Sequence, residues 1–285
     1  MKLLNTAKEK KANFPTLELT KSVDLVIDRF KILVAGKDKA GEFYRKSFAL
    51  MFAYVSKRIP EISEEFYKID DAMKAGFGWE NGPYEIWDAI GVEKGIELMK
   101  EVGKEPATWV TDMLASGIKS FYIVKNGATY YYDIIQKKHI KVPGQDSFII
   151  LNNIRKSREV FKNSGCVVED LGEGILNVEF QSKMNTIGGD VLSGLNKAID
   201  IAEKDFSGLV VGNQGANFSV GANIGMIFMM AVEQEYDELN MAIKHFQDTV
   251  MRLRYSSIPT VVASQGMTLG GGCEMTLHAD RVVAA

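Results

Sequence analysis

Apolar residues recur at helical spacing through the first part of the chain. Between positions 20 and 35, Val23, Val26, Ile27, Phe30, Leu33 and Val34 fall on one helical stripe. Thr20 or Ser22 is placed to cap its start and Gly36 to end it. A second helix is expected from about Glu42 to Arg58, with Tyr44, Phe48, Met51, Phe52 and Val55 inward and Pro60 as its stop. A third opens at Ser63, buries Phe66, Ile69, Ala72 and Met73, and closes at Gly76. Gly76, Gly78 and Gly82 then specify a tight loop, and Pro83 suits the first turn of a helix over Tyr84 to Ile90. Two further helices are expected near 92–102 and 106–116.

The period then changes. Phe121 to Val124 and Thr129 to Tyr132 flank Asn126-Gly127, a dipeptide that favours a two-residue hairpin turn between β-rich runs. Residues 137–165 carry Lys137, Lys138, Lys141, Arg155, Lys156, Arg158 and Lys162 and read as a basic connector with a solvated face. From Cys166 onward, strands are expected at Cys166–Asp170, Ile175–Phe180, Leu209–Val211 and Thr260–Ala263, and helices at about 189–204 and 234–254. Alternating strands and helices describe a layered α/β domain. The expected organisation is a helical domain over 1–120, a hairpin and linker over 121–165, and an α/β domain over 166–285.

Composition adds one boundary and several exclusions. Hydrophobic residues are 46% of the 285 and charged residues 25%, as in an ordinary globular chain. The net charge of −3 argues against a generally basic nucleic-acid binder. That total hides an asymmetry: residues 1–165 hold 27 Lys and Arg against 22 Asp and Glu, and residues 166–285 hold 7 against 15. Two cysteines, Cys166 and Cys273, fit a reducing compartment rather than a disulfide framework. The longest apolar run, Ile224 to Val232, is too short to span a membrane. Met1-Lys2-Leu3-Leu4-Asn5 lacks the apolar core of a signal peptide, so the expected location is cytoplasmic.

Two loops could carry chemistry. Asn217 to Asn223 follows a strand, and Gly266 to Glu274, with Gly270-Gly271-Gly272, lies between a strand and an expected helix. Consecutive glycines let backbone approach a ligand closely, and one amide from each loop could hold a developing oxyanion, each donor worth about 3–4 kcal/mol. Close helix–strand packing explains the glycines equally well. Glu274 lies three residues after Gly271, about 4.5 Å along a helix, where a carboxylate can act as general acid or base or compensate the helix dipole. No G-x-S-x-G or G-x-G-x-x-G motif is present. His139, His245 and His278 are scattered without metal-ligand spacing, so no metal site is expected.

These motifs carry a resemblance. Lys183-Met184-Asn185, Phe218 to Asn223, Gly270 to Glu274 and Ala279-Asp280 occur in the order found in the first half of the crotonase (enoyl-CoA hydratase/isomerase) superfamily. Residues 20–120 resemble the C-terminal helical domain of 3-hydroxyacyl-CoA dehydrogenases, through Ile69-Asp70-Asp71-Ala72-Met73, Gly76 to Trp79 and Gly82 to Asp88. The order resembles the bifunctional β-oxidation proteins of some bacteria. The fold so implied is an α-helical domain followed by an α/β crotonase-like domain of the ClpP/crotonase spiral, incomplete at its C-terminus.

The resemblance implies that the amides of Ala222 and Gly271 hold the thioester oxygen of an acyl-CoA and that Glu274 is one catalytic carboxylate. Lys183, Met184, Val220, Asn223, Ile224 and Gly225 would line the coenzyme A groove. Asn223 stands where the family commonly has Asp. The hydratases of this family use a second glutamate further along, so the chain alone is expected to hydrate little. NAD is implied for the parent dehydrogenase, with no site for it here. The implied partner is the acyl-CoA substrate, with homo-oligomerisation left open. An enoyl-CoA isomerase or a thioesterase would share these loops, and a non-catalytic acyl-CoA-binding or interaction module is the alternative outside enzymology.

Overall fold

The computed structural model describes residues 13–23 and 25–285. The reading of Met1 to Asn5 lies outside them. The chain divides into two compact units, Met1–Gln145 and Asp146–Ala285.

The first unit is built from α1 (Pro15–Thr20), α2 (Val26–Ala35), α3 (Lys39–Lys57), α4 (Tyr67–Phe77), α5 (Pro83–Ile90), α6 (Val92–Glu101) and α7 (Thr108–Ala115), followed by an antiparallel sheet in the order β1 (Tyr122–Lys125), β2 (Ala128–Asp133), β3 (Lys138–Lys141). The helix expected from Thr20 begins at Val26 instead. Thr20 ends α1, its hydroxyl donating to the Leu17 carbonyl, and α2 has no side-chain cap. α4 begins at Tyr67 rather than Ser63 and closes at Gly78 rather than Gly76. Gly78 is the residue with the left-handed conformation that a helix end uses (φ 66°). Asp38 caps α3 by accepting from the Gly41 amide. The hairpin forms as expected, with Asn126 at φ 52° and Gly127 at φ 75°, the positive values of a primed two-residue turn.

The sheet belongs to the helical core. Phe66 is fully buried and packs against the rings of Tyr84, Trp109, Phe121, Tyr122 and Tyr131 at 4.7 to 5.9 Å. Two buried carboxylates tie the start of the sheet to the helices. Asp88 on α5 accepts from the amides of Phe121 and Tyr122, both at 2.7 Å. Asp70 on α4 accepts from the Tyr84 and Glu85 amides and from the Tyr122 hydroxyl at 2.8 Å. Burial pushes both carboxyls up to about 7 against these hydrogen bonds.

A carboxyl whose folded pKa lies above its ordinary value favours folding in acid and loses that contribution as pH rises towards the folded value. The first unit is therefore expected to lose stability between about pH 4.5 and 7, by at most about 1.4 kcal/mol per pH unit per group. All three tryptophans, Trp79, Trp87 and Trp109, lie in this unit. Urea unfolding followed by tryptophan fluorescence across that range checks the sign, and Asp88→Asn is expected to flatten the slope. A midpoint that rises with pH would contradict it.

The second unit contains α8 (Leu151–Arg158), β4 (Glu159–Lys162), β5 (Cys166–Gly172), β6 (Ile175–Phe180), α9 (Gly189–Asp205), β7 (Gly208–Gly212), α10 (Ile224–Val232), α11 (Tyr236–Arg254), β8 (Thr260–Ser264), α12 (Gly271–Leu277) and β9 (Arg281–Ala284). Its sheet runs β4 to β9 in sequence order, antiparallel from β4 to β6 and parallel from β6 to β9. Alternate side chains of β5 and β6, Cys166, Val168, Leu176 and Val178, join Leu195 and Ile199 of α9 in the core. The intervening positions include Glu169, Asn177 and Glu179, which are buried. Arg155 of α8 meets them, with Nη2 2.6 Å from Glu179 Oε2 and Nε 3.6 Å from Glu169 Oε1. The segment read as a solvated connector thus supplies β3 to the first unit and α8 and β4 to the second.

Candidate active site

Three loops leave the carboxyl ends of parallel strands on one edge of the second unit: 181–188 after β6, 213–223 after β7 and 265–270 after β8. Ligand sites in sheets of this kind form at those ends. The loops pair with one another as the strands do. The Phe218 amide donates to the Gln265 carbonyl (2.8 Å), Ser219 to Met267 (3.1 Å), Leu269 to Ser219 (2.9 Å) and Ile187 to Gly221 (2.9 Å). Ser219, fully buried, clamps them further: its hydroxyl donates to the Asn185 carbonyl at 2.6 Å and accepts from the Gly221 amide at 3.0 Å. Asn213 accepts from the Phe180 amide and donates to the Phe218 carbonyl.

Gly221 is where two loops touch. A Cβ there would lie 2.8 Å from the Leu269 carbonyl oxygen and 3.2 Å from the Gly271 nitrogen, and the residue has φ 86°. Only glycine meets both demands without strain. The contact brings the segment carrying the Ala222 amide against the one carrying the Gly271 amide. Among the described residues, neither amide donates a hydrogen bond within the chain. Gly271 is buried and Ala222 is exposed at the same cavity, so both amides are open to an acceptor from a ligand.

That cavity has a volume of about 1480 Å³. Glu274, Ala222, Gly271, Lys183, Met184, Val220, Asn223 and Ile224 all line it, and Gly225 does not. The Glu274 carboxylate is exposed and has no hydrogen-bonding or ionic partner among the described residues. Lys183 to Asn185 form a single tight turn in which Met184 and Asn185 have φ near 55°. Asn223 caps α10 by accepting from the Met226 amide, a task Asn and Asp perform equally well. Gly225 lies in the first turn of that helix. The lining also takes apolar side chains from Met226, Ile227 and Met230 of α10 and Leu239, Ile243 and Met251 of α11, beside polar ones of α11 such as Lys244 and Asp248. Much of α10 is exposed, Ile224 at 78% and Phe228 at 64%.

Two histidines come to this cavity, His245 and His278, which the sequence left as scattered. His139 lies in the first unit, its Nε2 3.0 Å from the Ser120 carbonyl oxygen. No cluster that could hold a metal ion is present among the described residues. Cys166 is buried, and its thiol is pushed up to about 11 by burial, which makes it a packing residue. No helix among the described residues is long and apolar enough to cross a membrane.

Residues 170–285 match the family described as "Enoyl-CoA hydratase/isomerase". The chain is 38% identical over 276 residues to the "Probable 3-hydroxyacyl-CoA dehydrogenase" of Bacillus subtilis (strain 168), a match covering 96% of this chain and 35% of that protein. It is 25% identical over 266 residues to a Rickettsia felis protein named for a fatty acid oxidation complex trifunctional enzyme, covering 92% of this chain and 33% of that one. The chain thus spans about a third of the length of these curated relatives. Among solved structures, an enoyl-CoA hydratase/isomerase from Xanthobacter autotrophicus Py2 aligns at 27% identity and a TM-score of 0.38 over 43% of this chain and 46% of that one.

Proposed function

We propose that this chain is part of a bifunctional fatty-acid β-oxidation enzyme, a 3-hydroxyacyl-CoA dehydrogenase and enoyl-CoA hydratase, whose second unit binds an acyl-CoA thioester. The observation that carries the reading is the pair of unengaged amides, Ala222 and Gly271, at the same cavity as the unpartnered carboxylate of Glu274. A thioester oxygen received by two amides gains negative charge as the α-carbon loses a proton. Donors placed for that charge stabilise it by about 3–4 kcal/mol each. Glu274 is the group available to take the proton. Lys183 at the mouth suits the phosphates of coenzyme A, and the methionine-rich wall suits an acyl chain.

NAD would serve the dehydrogenase reaction of such an enzyme. The first unit does not fit a dinucleotide: its described strands form an antiparallel meander, with no parallel strand–helix–strand unit to cradle a pyrophosphate.

The experiment asks for the one reaction that needs only these three groups. Butyryl-CoA incubated with the chain in D2O is expected to bind, by calorimetry, and to acquire deuterium at the α-carbon, by mass spectrometry. Neither binding nor exchange would overturn the reading. Binding without exchange would leave an acyl-CoA-binding module.

A further inference from the structure

One helix of the second unit is fastened largely through polar groups. Along α8, Leu151 and Ile154 are the buried residues. Its start is tied to the loop after β7: the Leu151 amide donates to Gln214 Oε1 at 2.7 Å, and Gln214 Nε2 donates to the Ile149 carbonyl at 2.5 Å. Its end is tied to β5, where Arg158 Nη1 donates to the Leu171 carbonyl at 2.9 Å. Segments with few buried apolar contacts open locally before the rest of a domain.

Between these ties, one guanidinium faces two carboxylates. Arg155 donates to Glu179 at 2.6 Å, but its Nε stops 3.6 Å from Glu169 Oε1, beyond a hydrogen bond. Both of those atoms are buried and have no hydrogen-bond partner among the described residues. Glu169 is fully buried, and its other oxygen accepts from Asn177 Nδ2 at 3.3 Å. The same Nδ2 reaches the carbonyl of Gly212, also at 3.3 Å, where the loop leading to Ala222 begins. On β4, Glu159 stands opposite Glu169 and Lys162 opposite Val167, both exposed, and Lys156 of α8 is exposed as well. Glu179 is the ionisable residue of β6, and β7 has none. With both buried carboxylates ionised, a net negative charge would lie beneath α8. Burial, with the Glu179 charge adding to it, pushes the Glu169 carboxyl up to about 7.

We propose that α8 is a proton-controlled clasp: it lies closed on the sheet while Glu169 is protonated, and loss of that proton frees both the helix and the 213–223 loop fastened to it. With α8 lifted, water reaches Glu169 and its carboxyl returns towards the ordinary 4.5. The closed form therefore holds the proton more tightly, and acid favours it. Opening becomes easier as pH rises from about 4.5 to 7 and levels off above that, once both forms have lost the proton. The loop carries the Ala222 amide, so the clasp acts on the site whatever ligand the cavity takes, and its test is separate from that of the acyl-CoA reading.

Hydrogen–deuterium exchange of the full chain, read peptide by peptide from pH 5 to pH 8 as protection factors, divides out the chemical rate at each pH. In the wild type, residues 149–162 and 213–223 are expected to lose protection together, by at least about tenfold over that range, while α9 keeps its own. Glu169→Gln has the shape of the protonated acid and cannot ionise, so its loss is expected to stay within about threefold. A wild-type α8 whose protection does not fall with pH overturns the proposal. So does a Glu169→Gln chain that loses protection as the wild type does, or a 213–223 segment that stays protected while α8 opens. Where the variant fails to fold, α9 in the wild type decides: a fall shared equally by α9 is opening of the whole unit and overturns the clasp.

Discussion

Glu274→Gln is expected to slow α-deuteration of butyryl-CoA by about 10²–10⁴-fold, the range lost when a positioned acid–base group is removed. The amide of Gln has nearly the volume of the carboxylate, so the cavity keeps its shape and loses only the base. Glu274 is exposed, its carboxylate supports no hydrogen bond elsewhere, and its backbone position is set by its amide donating to the Gly270 carbonyl at 3.0 Å. Folding should therefore be unchanged, and binding of butyryl-CoA should stay within a few-fold, because in the proposed reading the thioester oxygen is received by the two amides. Calorimetry and mass spectrometry on the same preparation decide it. An exchange rate within threefold of wild type would remove Glu274 from the chemistry.

Gly221→Ala should act on the other half of the site. The added Cβ would stand 2.8 Å from the Leu269 oxygen and 3.2 Å from the Gly271 nitrogen, between backbone atoms with no flexible side chain to yield. The left-handed φ of 86° adds strain of about 1–2 kcal/mol for any residue with a Cβ. The loops must part, and the amides of Ala222 and Gly271 can then no longer converge on one oxygen. Losing one such donor costs about 10²–10³ in rate, and that is the expected fall in exchange. Gly221 takes no part in the strand pairings of the sheet or in the packing of α9 against β5 and β6, so the second unit should stay folded by circular dichroism. A variant that exchanges at the wild-type rate would show that the spacing of the two amides is not what the glycine serves.

How much of this was legible in the chain depends on where the determining partner lies. The Asn126-Gly127 turn and the Asn217–Asn223 and Gly266–Glu274 loops are local signals, and each could be read from adjacent residues. β3 escaped because Lys138-His139-Ile140-Lys141 is short and largely polar, and its pairing with β2 is a tertiary fact. α10 read only as an apolar run, since nine residues without a polar face give no helical period. The end of α4 went to the wrong glycine because Gly76 and Gly78 are equivalent in sequence and differ only in backbone angle. At the site, Ser219 lies in no G-x-S-x-G motif, and nothing adjacent in sequence marks its role. Its work is to hold three loops, through a carbonyl 34 positions away.

The ion pair between Arg155 and Glu179 bears on how the chain can be taken apart. A shortened protein beginning at Cys166, where the charge balance changes, would lose α8 and β4. It would take the Arg155 guanidinium from Glu179 and Glu169, together with the helix that carries it and the strand that pairs with β5. Cutting ahead of Asp146 keeps the guanidinium with its carboxylates. The natural seam for isolating the second unit therefore lies some twenty residues upstream of the compositional break, on the far side of the arginine-bearing helix.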